Sequence, residues 1–383
     1  MKTVNWRHFD FVLLGGCLAL LGLGLTLIYS GSLASFGGDE PILGGPVSRQ
    51  VAYAMLGITL MVVLARIDYR SWSVLSPMLY VAVLLGLLIV LVIGDSAFGS
   101  RRWISFAGVQ LQPSEPGKLI TIVLLARILS EDGGRYLSGR TFLLTLAVAT
   151  VPALLVFVEP DLGTSVVFIA VWLGMVFVAG AQAKHLFLLV SAGIVALPFA
   201  MLGLLRGYQM ERLRIFLDPS SDPLGTGFNI NQAAISIGSG GWTGKGLFNG
   251  PQTQLDFLRT QSTDYIFSVL GEELGFVGAM LLFGLFIVVL SRGIRAASRS
   301  RDPFGRLVAI GIVVMIMTQV FINIGVNIRL FPVTGIPLPF ISQGGSSLVS
   351  MFMAIGILQS IILRQRPSRF RAASSERLLL PGT

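Results

Sequence analysis

Nine long apolar runs set the limits of what this chain can fold into. They fall near residues 9–29, 48–65, 73–93, 141–158, 164–180, 186–205, 277–294, 306–327 and 347–363. Each approaches the roughly 17–25 residues that a helix needs to cross a bilayer core. A shorter run, 118–130, follows "QPSEPGK" and makes a tenth span if protein covers its ends. Composition agrees, since only 12% of the 383 residues are charged, against about 25% in soluble domains. Lipid offers no partner to a backbone N–H or C=O, so only helices and closed barrels can span it. No segment shows the alternation over about ten residues that a barrel strand needs. The expected class is therefore all-α, a polytopic membrane protein with about ten transmembrane helices. Its first run, Phe11 to Ile28, exceeds the roughly 7–15 residues of a signal-peptide core and reads as a membrane helix.

The basic residues choose the orientation. With the N-terminus inside, cytoplasmic segments hold Lys2, Arg7, Arg66, Arg70, Arg127, Arg135, Arg140, Lys184, the group Arg292, Arg295, Arg299, Arg301 and Arg306, and five arginines from Arg364 to Arg377. Both termini are then cytoplasmic, and residues 206–276 form a large extracytoplasmic loop between helices 7 and 8. Residues 1–363 read as a single transmembrane domain and 364–383 as a basic cytoplasmic tail. The net charge of +9 reports topology and contact with anionic lipid, not nucleic-acid binding. Cys17 is the only cysteine, and His8 and His185 are the only histidines. A disulfide framework, a thiolate metal site and an imidazole metal site are thereby excluded.

The polar outer segments carry the candidate chemistry. In "FLRTQSTDYIFSVLGEELG", Asp264 follows Thr263 and precedes an apolar helical run. It suits either a helix cap or a proton acceptor where the helix dipole favours a carboxylate. Glu272 and Glu273 lie roughly 12–14 Å further along that helix. This is beyond the spacing of about 5–9.5 Å in two-carboxylate glycosidases, so they read as support behind Asp264. Asp161 in "EPDLGT" suits a cap beside Thr164, a partner for a basic residue, or a divalent-cation ligand. Arg101 and Arg102 beside Trp103, with Lys118, Lys245 and Arg212 or Arg214, are candidates for phosphate oxygens; interfacial anchoring is the alternative. "SIGSGGWTGKG" is not a nucleotide loop, because Ser239 stands at the leading glycine position and Gly246 follows Lys245 where a hydroxyl is required. Its glycines suit close packing on the membrane core. Gln319, Asn323 and Asn327 recur every four residues, as inter-helix hydrogen bonding or a polar groove wall.

Taken together, "FPVTGIPLPFISQGGSS", "EPDLGT", "RIFLDPSSDPLGTGF", "SIGSGGWTGKG" and "TDYIF…GEELG" resemble the SEDS family of shape, elongation, division and sporulation proteins. Thr334 in "PVTGIPLP" matches the elongation branch, the division branch typically having lysine there. Membership implies a ten-helix peptidoglycan glycosyltransferase that polymerises lipid II outside the cytoplasmic membrane, beside a class B penicillin-binding protein and other membrane proteins of cell elongation. Asp264 takes the position of the family's catalytic aspartate. Members commonly read "FLPExHTD" before it, whereas Thr260 and Ser262 stand here for the glutamate and histidine, so no helper role carries over from those two.

That chemistry requires a carboxylate to accept a sugar hydroxyl's proton, positive charge for the departing polyprenyl pyrophosphate, and a groove for two lipids. The expected assignment makes Asp264 the base. Arg101, Arg102, Lys118, Asp161, Lys245, Arg212, Ser342 and Gly344 contact substrate, and Glu272, Glu273 and Asn323 stand behind them. A divalent cation, Mg2+ or Mn2+, is the expected cofactor, with Asp161 as its ligand and no nucleotide or organic cofactor. The rival activities are a lipid II flippase and a non-catalytic cell-wall scaffold. Charge-free helix centres and the lack of an evident inverted repeat weigh against a transporter.

Overall fold

A computed structural model describes residues 6–35, 45–97, 100–106, 109–132, 137–182, 207–222, 225–255 and 261–365, with isolated positions at 184, 186, 187, 191, 257 and 258. Its helices are α1 (Phe11–Ser35), α2 (Pro46–Arg66), α3 (Tyr69–Ile93), α4 (Ser114–Glu131), α5 (Gly139–Val158), α6 (Leu162–Val178), α7 (Gly207–Leu217), α8 (Thr226–Gly240), α9 (Pro251–Gln254), α10 (Ile266–Arg299), α11 (Pro303–Asn327) and α12 (Gly345–Leu363). Seven of these, α1, α2, α3, α5, α10, α11 and α12, are long and apolar enough to cross a membrane, and α6 is a shorter apolar helix. The expected run 118–130 is helical within α4, but Glu115, Lys118, Arg127 and Glu131 keep that helix from being an apolar span. Most of the expected span 186–205 lies outside the described residues. The protein is a multi-pass helical membrane protein.

Three short strands depart from the purely helical expectation. β1 (Asp95–Ala97), β2 (Ser100–Phe106) and β3 (Val109–Leu111) form an antiparallel sheet in the order β1-β2-β3. Trp103 pairs with Asp95, and Ile104 with Leu111. The long loop also departs from a structureless connection, since it folds into α7, α8 and α9.

Helices α11 and α12 form the interior, while α3 and α5 turn Val74, Met78, Val81, Val92, Leu143 and Leu154 outward. Outward apolar residues suit lipid, because hydrocarbon tails are as apolar as leucine and helix association rests on close packing. Small residues provide that packing: a Cβ on Gly356 of α12 would meet the Met61 backbone of α2 at 2.7 Å.

The two ends of the bundle differ. At one end, Asp10 accepts from Arg292 at 2.6 Å and is clamped by Gln359, while Arg364 donates to the carbonyls of Ala65 and Arg66. This is the end that carries the arginine-rich segments. At the opposite end the starts of α4, α6, α10 and α12 gather around the end of α11. There residues 331–344 run without helix yet bury Leu338, Phe340, Ile341 and Ser342. This segment lies directly on α1, where a Cβ at Gly24 would meet the Ile341 backbone at 2.6 Å. Non-helical backbone at such depth is tolerated because protein groups satisfy it. Asn323 donates to the Ile336 carbonyl at 2.8 Å, and Gln50 donates to the Ser342 carbonyl at 3.0 Å.

Candidate active site

Asp264 lies in a short turn, residues 261–265, just before α10. The cap position belongs to Tyr265 and has no side-chain capping bond, so Asp264 is not there to cap the helix. Its backbone is fixed from α11, where Asn327 and Asn323 donate to its carbonyl at 2.9 and 3.3 Å. Asn327 is itself oriented by Ser268, whose N–H and hydroxyl both donate to the amide oxygen. The preceding residues are braced by the segment before α12. Ser342 donates to the Thr263 carbonyl at 2.6 Å, while Gln343 exchanges a backbone and a side-chain bond with Ser262.

The Asp264 side chain is partly exposed. Burial pushes its carboxyl above the ordinary range, opposed by the guanidinium groups of Arg212 and then Arg102. A partly desolvated carboxyl with two guanidinium groups near it is suited to taking up a proton. Arg212, from α7, also donates to the Val333 carbonyl at 2.8 Å.

Arg102 projects from β2 and is buried. It donates to the Pro160 carbonyl and lies 3.6 Å from Asp161. A Cβ on Gly335 would sit 3.4 Å from its Nη1, so the "PVTGIPLP" segment passes directly over the guanidinium. Its Nε–H has no acceptor among the described residues. Asp161 caps α6 through the Thr164 N–H at 3.1 Å, and also accepts from the Thr164 hydroxyl and the Gln112 amide. Beside it lies Glu159, buried and pushed up to about 8, first by burial and then by Asp161, with Arg102 opposing.

This geometry gives four of the expected residues partners within the protein. Asp161 caps α6 through Thr164, accepts from the Gln112 amide and lies 3.6 Å from Arg102. Among the described residues no three His, Cys, Asp or Glu side chains gather at one point. Lys118 is engaged within α4, where its Nζ lies 2.8 Å from Glu115 and both are fully buried. Ser342 and Gly344 act on backbone: Ser342 bridges Leu338 and Thr263, and the Gly344 N–H donates to Gln50. Lys245 is exposed, with its N–H on the carbonyl of Glu272. Arg214 is likewise exposed. Arg101 lies in β2, but its side chain is outside the described residues, as is Thr260.

Glu272 and Glu273 are fully buried on α10 and hold the outer loop. Glu272 accepts from the N–H groups of Gln252 and Thr253 and from the Thr253 hydroxyl, an N-cap supplied to α9 from another helix. Glu273 accepts from the hydroxyl of Ser30 on α1. Their own carbonyls accept from Lys245 and Gly246, and α10 bends at Gly275, where φ is 61°. The supporting role expected of both glutamates and of Asn323 therefore has a defined geometry. Gln50, Gln112, Glu159 and Gln343 were not singled out in the sequence. The three glutamines are isolated polar residues whose partners are remote in the chain, and no spacing rule reaches that far.

Comparison with known proteins decides the family. The profile of the FtsW/RodA/SpoVE family, described as "Cell cycle protein", matches residues 11–366. The chain belongs to this family. Among its relatives, peptidoglycan glycosyltransferase MrdB of Escherichia coli is 37% identical over 94% of this chain and 95% of its own length. Stage V sporulation protein E of Bacillus subtilis is 40% identical over 92% of this chain and 96% of its own. A chain from a solved peptidoglycan synthase complex coordinating polymerization and crosslinking superposes with a TM-score of 0.79 at 30% identity, covering 94% of this chain and 99% of that one. Rod shape determining protein RodA of Thermus thermophilus gives a TM-score of 0.70 at 28% identity, covering 95% and 100%.

Proposed function

We propose that this family member is a peptidoglycan glycosyltransferase that polymerises lipid II at the outer face of the cytoplasmic membrane during cell elongation. The observation that carries the reading is Asp264, a carboxyl set between Arg212 and Arg102 with its backbone locked by Asn323, Asn327 and Ser342. A sugar hydroxyl attacks the anomeric carbon of the lipid-linked donor and its proton passes to Asp264. The new glycosidic bond forms as the bond to the polyprenyl pyrophosphate breaks, and that anion leaves with the bonding electrons. Arg102 and Arg212 are the guanidinium groups at hand for its charge. The expected divalent cation has no ligand set among the described residues, and no step is routed through one.

The arginine-rich end of the bundle belongs in the cytoplasm by the positive-inside rule, which leaves Asp264 outside, where lipid-linked sugars are joined. The partner is a class B penicillin-binding protein, in keeping with the synthase complex to which one structural relative belongs. The test is polymerisation of labelled lipid II by purified protein, with and without that partner. Asp264→Asn should fold normally and make no glycan. Normal turnover in that variant overturns the assignment, and lipid movement without polymer in the wild type makes the protein a flippase instead.

A further inference from the structure

The loop that Glu272 and Glu273 hold so firmly presents an apolar surface that the chemistry above does not use. Trp242 is 74% exposed and packs edge-on against Phe276, the first residue after the α10 bend. Phe248 packs edge-on against Tyr29, near the end of the α1 span Phe11–Leu33. Leu247 and Leu255 are also exposed, as is the nearby Lys245. The aromatic pairs thus mark the same end of two membrane-crossing helices. Below them the exposed surface continues without a break along α10 through Val277, Leu281 and Ile287.

The backbone beneath is rigid. Phe276 and Val277 donate to the carbonyls of Gly241 and Trp242 at 2.9 and 3.0 Å. Phe248 is held at a φ of 65°, a conformation that non-glycine residues adopt only where the surroundings enforce it.

We propose that residues 241–255 form a seat in the headgroup layer of the outer leaflet, with the aromatic and leucine side chains at the glycerol level and Lys245 reaching phospholipid phosphate. Tyrosine and tryptophan favour that zone because one end of each is apolar and the other polar. Lysine can bury its stem while its ammonium stays wet. Lipid is the occupant because the exposed apolar surface runs straight onto the outward apolar residues of α10, a helix long and apolar enough to cross a membrane, whose surroundings at that depth are hydrocarbon and not water. The seat ties the chain leading to Asp264 to a fixed height above the bilayer.

The experiment places a nitroxide at Leu247→Cys in the full chain carrying Cys17→Ala, in nanodiscs of phosphatidylethanolamine and phosphatidylglycerol. Collisions with oxygen should exceed those with an aqueous nickel chelate several-fold, and the same should hold for a label at Trp242→Cys. A cysteine-free check is quenching by brominated lipid, which Trp242→Phe should reduce. Chelate-dominated collisions at both labels overturn the proposal. So does protection that appears only when a second copy or a partner protein is present. None of these readings needs substrate, so they stand apart from whether the protein polymerises lipid II.

Discussion

Asn327 at the end of α11 donates its side-chain amide to the backbone carbonyl of Asp264 at 2.9 Å, and Asn323 one turn earlier reaches the same carbonyl. The peptide that carries the proposed base therefore hangs from a deeply buried helix of the bundle and not from its own loop. A group needed within a few tenths of an ångström of a substrate hydroxyl is best held by an element that cannot move independently. Asn327→Leu should leave the protein folded but lower lipid II polymerisation about tenfold or more, consistent with losing one or two buried hydrogen bonds of about 1 kcal/mol each and misplacing the base. Turnover measured at saturating substrate should carry the loss.

Arg212 sets the pH range of activity. Burial raises the Asp264 carboxyl above its ordinary range and Arg212 is the largest opposing charge. A base must be ionised to accept a proton, so the rate should rise with pH through the displaced pKa and then level. Arg212→Gln leaves burial less opposed and should move that acid limb to higher pH. The same sign governs stability. A carboxyl that binds its proton more tightly when folded contributes most below the unfolded value of about 3.9 and loses that contribution as pH rises through the folded one. Asp264→Asn should therefore gain stability over the wild type as pH rises through that window, measured by thermal unfolding.

Glu272 is the cap of a helix it does not belong to. Glu272→Ala strands the N–H groups of Gln252 and Thr253 and the Thr253 hydroxyl, at about 1–3 kcal/mol for each buried group left unpaired. Backbone hydrogen exchange across 250–258 should accelerate while α11 and α12 remain protected. Glu272→Gln, which keeps one acceptor oxygen, should fall between that variant and the wild type.

Lys118 and Glu115 separate a structural pair from a substrate contact. Removing one partner leaves a buried charge, so Lys118→Met should destabilise by about 3–5 kcal/mol. Lys118→Met with Glu115→Leu should recover much of that loss. If the doubly substituted protein is stable yet fails to bind lipid II, Lys118 touches substrate after all.

Much of the site's composition was readable before any coordinates. Asp264, Arg102 and Arg212 stood out because charged residues at the edge of an apolar chain are costly unless used. Glu272 and Glu273 were legible as support because helical rise alone puts them too far from Asp264 to share its proton. The roles of Ser342, Gly344 and Lys118 were not legible. A hydroxyl or ammonium beside a glycine-rich motif looks the same in one dimension whether it faces a ligand or a carbonyl 79 residues away, as Ser342 does.

What the sequence settled alone was the solvent and the class of element. Long apolar runs can satisfy their backbones in lipid only as helices, and the basic residues sort to one end of them. What only the tertiary structure decided was the pairing of polar groups. The brace of Asn323 and Asn327 on Asp264, the bond from Gln112 to Asp161, and the cap that Glu272 gives α9 all join residues well separated in the chain. Away from water an unpaired buried donor is costly, and which acceptor it finds depends on how the helices pack.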